Sequence, residues 1–200
     1  HFLLDPEDPT MLGQLKDHGY EVLWIGKDEA VPLNRDMSPY CDEYFPGEFP
    51  YDREKSENFE RHFRGESSGD NYYSFYAGRV EPGMTDDNDR SCLNKAIGYL
   101  KKRGEREEKR PFCLFLCLNS PHPPYGLCDP WYGFTDRKQI SERRPTPDNW
   151  EKMPSMLKGI YEKQGMNGWD EARYRELKAT YYDMVHQLDS RLGELLEAMK

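Results

Sequence analysis

The chain reads as an α/β protein: a partial parallel sheet flanked by helices, with long irregular insertions. Three observations predict this. Residues 112–118 form an unbroken apolar run that ends abruptly in a polar turn, a pattern that suits a strand buried on both faces. Residues 22–25 are a second short apolar run, entered from a helix through Gly19. Residues 171–200 place apolar side chains at the 3.6-residue period over about 30 residues, roughly 45 Å of helix, enough to cross a whole sheet layer.

The elements follow in order. Asp8, Pro9 and Thr10 mark a helix start, a capping carboxylate followed by proline at the first helical position. Met11, Leu12 and Leu15 make its apolar stripe, and Gly19 is a natural C-terminal stop. The strand at 22–25 comes next, and Gly26, Lys27, Asp28 and Glu29 stand at its carboxyl end. Residues 31–70 are rich in Pro, Asp, Glu, Tyr and Phe and show no clean period. They read as an ordered insertion with short helical or turn pieces around 54–63. Residues 72–80 read as an edge strand or hairpin arm. Residues 86–103 read as a helix capped by Asp86 or Asp87, with Cys92, Leu93, Ala96, Ile97 and Leu100 on its buried face.

A charged connector leads into the apolar strand at 112–118, which ends at Asn119, Ser120, Pro121, His122, Pro123, Pro124 and Tyr125. The segment 127–169 reads as irregular, and a loop of that length inside a domain points to function or mobility. Asp170 then caps the last helix, whose apolar face is Leu177, Tyr181, Met184, Val185, Leu188, Leu192, Leu195 and Met199. The organisation expected is one partial domain over 1–200. It comprises a helix–strand unit in 1–30, an insertion in 31–70, a strand, helix and central strand in 71–126, an irregular loop in 127–169 and a long helix in 170–200.

Composition narrows the function. At 36% hydrophobic and 32% charged residues the chain is polar, but 14% aromatics supply core area. A formal charge of −9 argues against nucleic acid as the main partner, since phosphates need a basic surface. No apolar run approaches the ~20 residues of a membrane span. The five cysteines are odd in number and lack metal-type spacing, which favours reduced structural residues. Cys113 and Cys117 share one strand face as small apolar groups. Cysteine usage leans toward a reducing, cytoplasmic compartment and otherwise leaves localisation unknown. The chain starts at His1 and stops at Lys200 within a helical pattern, so it reads as a piece of something longer. Cutting a parallel sheet exposes strand edges, and self-association through them is expected.

His122 is the first candidate site residue. Pro121 and Pro123 stiffen the backbone on both sides of it, and parallel sheets bind ligands at the carboxyl ends of their strands. Lys27 holds the equivalent place on the other strand, as a fixed cation for an anionic group or a snorkelling surface lysine. Asp28 and Glu29 can pair with it or bind a cation. The run Asp86-Asp87-Asn88-Asp89 lacks the glycine and distal glutamate of a calcium loop and reads as helix capping. His186 reads as an ordinary helical residue, and His18 and His62 have no chemical partner nearby in the chain. There is no Gly-rich phosphate loop, serine nucleophile elbow or His-Glu-x-x-His.

Three segments together resemble the sulfatases of the alkaline phosphatase superfamily. Pro9-Thr10 through Leu15-Lys16-Asp17-His18-Gly19-Tyr20-Glu21-Val22, then Trp24-Ile25-Gly26-Lys27, resembles that family's helix, Gly-Tyr, strand and Gly-Lys segment. Residues 111–125 resemble its strand and His-Pro turn. Tyr181-Tyr182-Asp183-Met184-Val185 to Asp189, then Leu192-Gly193-Glu194-Leu195-Leu196, resembles its helix with two tyrosines before an aspartate. The resemblance implies an alkaline-phosphatase-like fold and a parent protein that is a sulfuric ester hydrolase. It implies a formylglycine nucleophile made from a Cys/Ser-x-Pro-x-Arg motif, and a calcium ion that neutralises the sulfate.

By the same resemblance Lys27 matches the lysine that hydrogen-bonds the formylglycine. His122 matches the histidine that contacts sulfate and protonates the leaving oxygen. Glu29 stands where many members carry histidine, and Glu29 and Tyr125 are the further substrate-binding candidates. The Cys/Ser-x-Pro-x-Arg motif and the amino-terminal aspartate pair do not occur in the 200 residues, and the family's Asp-Asn pair would lie beyond Lys200. The expectation is therefore no metal ligand within the chain, calcium bound outside it, a sulfated small molecule or carbohydrate as substrate, and no turnover by the chain alone. The rival readings are a phosphonate or phosphate ester hydrolase of the same superfamily, and a non-catalytic anion- or carbohydrate-binding domain.

Overall fold

Thr10 opens the first helix. Its backbone is extended (φ −118°, ψ 153°) and its Oγ1 accepts the Gly13 N–H at 3.0 Å, so the chain turns helical one residue later. The cap is thus Thr10 and not Asp8, whose carboxylate instead accepts the Asp5 N–H at 2.8 Å. The computed structural model describes residues 3–32, 36–47, 74–81, 88–107, 109–145, 147–165 and 168–200. The expected helical pieces at 54–63, the capping role of Asp86 or Asp87, and His1 and His62 lie outside the described residues.

The elements in chain order are α1 (Met11–Asp17), β1 (Glu21–Gly26), β2 (Glu43–Phe45), β3 (Tyr76–Arg79), α2 (Asn88–Gly104), β4 (Phe112–Cys117), β5 (Tyr125–Leu127), α3 (Ser155–Lys163) and α4 (Glu171–Glu197), with 3-10 turns at Arg137–Gln139 and Trp150–Lys152. The chain is α/β, and among the described residues both sheets are parallel. It divides into two compact units. The first comprises His1–Pro50, Asp86–Asn119 and Arg191–Lys200; the second comprises Tyr51–Thr85 and Ser120–Ser190.

In the first unit the sheet order is β2-β1-β4, with Glu21 opposite Phe112 and Gly26 opposite Cys117. β1 is its buried centre, and side chains alternate across it. Val22 and Trp24 face a cluster with Leu12, Val31 and Tyr40, where the Trp24 ring meets Phe115 edge-on at 5.3 Å. On the other face Leu23 packs with Tyr99 and Leu100 of α2, and Ile25 with Cys92 and Ala96. Leu195, near the end of α4, joins both of these clusters. Beyond the end of α2, Arg106 joins Arg103 in gripping Glu21, each at 2.8 Å. Burial pulls the Glu21 carboxyl upward, but Arg106, the Tyr99 hydroxyl and Arg103 together outweigh it and hold the group below the ordinary range.

The expectation of a strand buried on both faces fails for β4. All six of its residues are only half-buried, whereas β1 is buried from Val22 to Gly26. The reason is position: β4 forms an edge of the described sheet, and its apolar run marks affinity for a core without fixing its place in the order. All five cysteines are free, and burial pushes the Cys41 thiol up to about 11.

In the second unit β3 pairs in parallel with β5, placing Tyr76 opposite Tyr125 and Arg79 opposite Leu127. Among the described residues 72–80 is therefore a strand paired in parallel and not a hairpin arm, since a hairpin pairs antiparallel. Nor is 127–169 simply irregular: it holds both 3-10 turns and α3. In α4 the buried positions include Ala179, Thr180, Asp183, Met184 and Arg191, while Tyr181, Val185, Leu192 and Met199 of the expected stripe are exposed. The period was legible, but polar groups occupy part of the buried face. Among the described residues no helix is long and apolar enough to cross a membrane.

Candidate functional site

Gly26 ends β1 with φ +100°, a conformation that side-chain-bearing residues rarely adopt. The turn it makes sets Lys27 between two backbone anchors. The Lys27 N–H donates to the Cys117 carbonyl of β4 at 2.8 Å, and its own carbonyl accepts the Trp24 indole N–H at 3.3 Å. The lysine is thus mounted where two adjoining parallel strands end. Its Nζ pairs with Glu29 Oε1 at 2.9 Å, with Lys27 32% and Glu29 75% exposed. Asp28 does not join them; its carboxylate accepts the Ala30 and Val31 N–H groups and closes the turn.

The end of β4 is also held. Asp89, buried in the first turn of α2, accepts the Asn119 N–H at 2.7 Å and lies 4.0 Å from Arg191. The run 86–89 therefore contributes more than capping, because one of its acids anchors the strand end that leads to His122.

His122 and Tyr125 belong to the second unit, and Lys27 and Glu29 to the first. His122 is exposed, and its Nδ1 lies 2.7 Å from the Pro123 carbonyl. A carbonyl can only accept, so Nδ1 is the donor and Nε2 is the nitrogen through which the ring can exchange a proton. Tyr125 donates its N–H to the Phe75 carbonyl, and its ring meets Tyr181 edge-on at 6.1 Å. Burial pushes its hydroxyl upward. His18 instead closes α1, with Nδ1 2.7 Å from the Gln14 carbonyl, and His186 packs 4.5 Å from the Phe134 ring.

A buried ionic cluster fastens the segment after β5 to α4. Asp183 is fully buried; its Oδ1 accepts the Thr135 N–H at 2.7 Å, and its Oδ2 accepts the Gly133 N–H and Arg137 Nη1, each at 2.9 Å. Arg137 also reaches Glu176 through Nε and Nη2, and the Tyr132 hydroxyl donates to Glu176 at 2.8 Å. The Arg137 bonds hold the Glu176 carboxyl below its ordinary range. Asp183 lies in the segment that resembles the family's helix but carries no expected role there, and Arg137 has none. The legible signal was a carboxylate within an amphipathic helix face; its partner, 46 residues away, left none.

The Sulfatase family model matches residues 3–200. Arylsulfatase K of Gallus gallus is 29% identical over 125 residues, 56% of this chain and 23% of that protein. Arylsulfatase K of Xenopus laevis is 25% identical over 123 residues, 54% of this chain and 22% of that protein. The matched part thus spans less than a quarter of either relative.

Proposed function

The chain belongs to the sulfatase family, and on that premise we propose that it contributes Lys27 and His122 to the hydrolysis of a sulfate ester. The observation that carries this reading is the mount of Lys27: its N–H is held by the Cys117 carbonyl and its own carbonyl by the Trp24 indole, at the carboxyl edge of a parallel sheet, where such sheets receive ligands. The match to a Sulfatase model and to two arylsulfatases supports sulfate over phosphate or phosphonate.

Cleaving a sulfate ester builds negative charge on the departing oxygen and leaves it on the sulfuryl oxygens. The Lys27 ammonium stabilises that charge electrostatically. His122, as imidazolium, gives the Nε2 proton to the leaving oxygen while its Nδ1 stays bonded to the Pro123 carbonyl. Glu29 holds the Lys27 side chain until an anion arrives. Because Glu29 is mostly exposed, the pair is worth only ~0–1 kcal/mol and yields readily to a sulfate.

The family's formylglycine and calcium belong to this proposal at the level of the whole protein. Among the described residues no group of three or more His, Cys, Asp or Glu side chains could hold a metal ion, so these residues do not fit the calcium and no step is routed through it. The 200 residues also contain no Cys/Ser-x-Pro-x-Arg motif.

The test is aryl sulfate hydrolysis in the presence of calcium. The 200-residue chain alone is expected to give no turnover. In a protein joining this chain to a segment with the nucleophile motif, Lys27→Ala is expected to lower kcat/KM by ~10²–10³. Turnover by the isolated chain above its own Lys27→Ala control would overturn the expectation that it is inactive alone, and an unchanged kcat/KM in the longer protein would overturn the assignment of Lys27.

A further inference from the structure

The second unit contains a cavity of about 270 Å³ alongside α4. That is slightly below the ~300–1,000 Å³ of most small-molecule sites and matches a single ring better than an extended ligand. Tyr125, Tyr174 and Tyr181 contribute to its walls, and amphipathic aromatic surfaces suit the C–H face and hydroxyl rim of a sugar. Arg143, Arg175 and Lys178 also line it, opposed by the single acid Glu171. Three cations against one anion make the cavity positive on a chain of net charge −9, so the local field selects an anion against the general trend of the surface.

The cations are not equally committed. Arg143 lies 3.6 Å from Glu171 and 4.4 Å from the Tyr174 ring centre. Lys178 donates to Ser141 Oγ at 2.7 Å and to the Ser141 carbonyl at 3.3 Å, using two of an ammonium's three donors. Arg175 Nε is buried without a hydrogen-bond partner among the described residues. That Nε has no accessible surface, so what Arg175 offers the cavity is its positive charge.

We infer that this cavity binds one sugar ring bearing a sulfate group that is held there by Arg175 and Lys178 and not hydrolysed. The ring and its negative charge follow from the cavity; the choice of sulfate among anions rests on the sulfatase reading. The site would make the protein select substrates carrying a second sulfated or otherwise anionic ring.

The experiment titrates the 200-residue chain with glucose 6-sulfate, glucose and inorganic sulfate by calorimetry. Glucose 6-sulfate is expected to bind at least ~10-fold more tightly than either of the others, because only it engages both the tyrosines and the cations. Lys178→Gln and, separately, Arg175→Gln are each expected to weaken glucose 6-sulfate by ~10-fold with an unchanged circular dichroism spectrum. Binding that survives Lys27→Ala but is lost in Lys178→Gln belongs to this cavity and not to the proposed catalytic lysine. Equal binding of glucose and glucose 6-sulfate, equal binding of sulfate and glucose 6-sulfate, or indifference to Lys178→Gln would overturn the inference. An unchanged kcat/KM for Lys27→Ala in the longer protein, with this binding intact, would overturn the catalytic reading alone.

Discussion

Replacing Gly26 with alanine is expected to destabilise the first unit by ~3–5 kcal/mol, the range reserved for substitutions that break a specific structural feature. A Cβ at this position would sit 2.0 Å from the Cys117 carbonyl oxygen and 2.8 Å from its carbon. The obstacle is backbone, not a flexible side chain, and it is the same carbonyl that accepts the Lys27 N–H. Relief therefore requires β1 and β4 to separate at the end that carries the lysine. The positive φ adds strain of ~1–3 kcal/mol for any residue with a side chain. Gly19→Ala is the internal control, since Gly19 also has positive φ (+85°) but no atom within 4 Å of its would-be Cβ. Urea unfolding should show a loss of ~1 kcal/mol for Gly19→Ala and a several-fold larger loss for Gly26→Ala. Equal losses would mean that the close approach to Cys117 carries no energy.

Asp183→Ala is expected to cost ~3–5 kcal/mol, because it leaves the Gly133 and Thr135 N–H groups and one arm of Arg137 without their shared acceptor. The Gly133–Thr135 turn would lose its tie to α4, and the loss should appear as raised amide exchange there. Asp183→Asn keeps the shape but offers a single acceptor oxygen, so it should fall between alanine and the native residue.

The same cluster carries an acid limb. The Glu176 carboxyl is depressed in the folded chain, so its contribution is fully present above its unfolded pKa near 4.5 and is lost as pH falls through the folded value. Native stability should decline on acidification below pH 4.5, and Glu176→Gln should flatten that decline. A variant that keeps the native acid profile would remove Glu176 from the account.

Several elements were legible because their signals are local. Gly19 stops α1 by its φ, Asp170 accepts the Arg173 N–H at the start of α4, and the run at 112–117 is a strand. What escaped reading depends on partners distant in sequence. β2 is only three residues long and exists through its parallel pairing with Leu23, Trp24 and Ile25. β3 carries Gly78 between Ala77 and Arg79, and its pairing with β5 was invisible at that separation. The exposed Leu192 and Met199 kept the helical period while Thr180 and Asp183 took the interior, because a periodic stripe records a helix more securely than it records which face is covered. At the site, Lys27 was legible from its place after a strand and a glycine. The Glu29 pairing was foreseen as an option, but the Asp89 anchor of Asn119 was not, since a carboxylate beside two possible caps looks like a third cap.

The central claim is that this chain supplies an electrostatic clamp and a proton donor for sulfate ester cleavage. The most direct measurement is the leaving-group dependence of His122→Ala in the protein that joins this chain to the nucleophile segment. An alkyl sulfate leaves as a strongly basic alkoxide and needs the proton, whereas 4-nitrophenyl sulfate leaves as a stable phenolate and does not. His122→Ala is expected to lower kcat/KM by ~10²–10⁴ for the alkyl ester and by less than ~10-fold for the nitrophenyl ester. Equal losses for the two esters, or none for the alkyl ester, would contradict that claim.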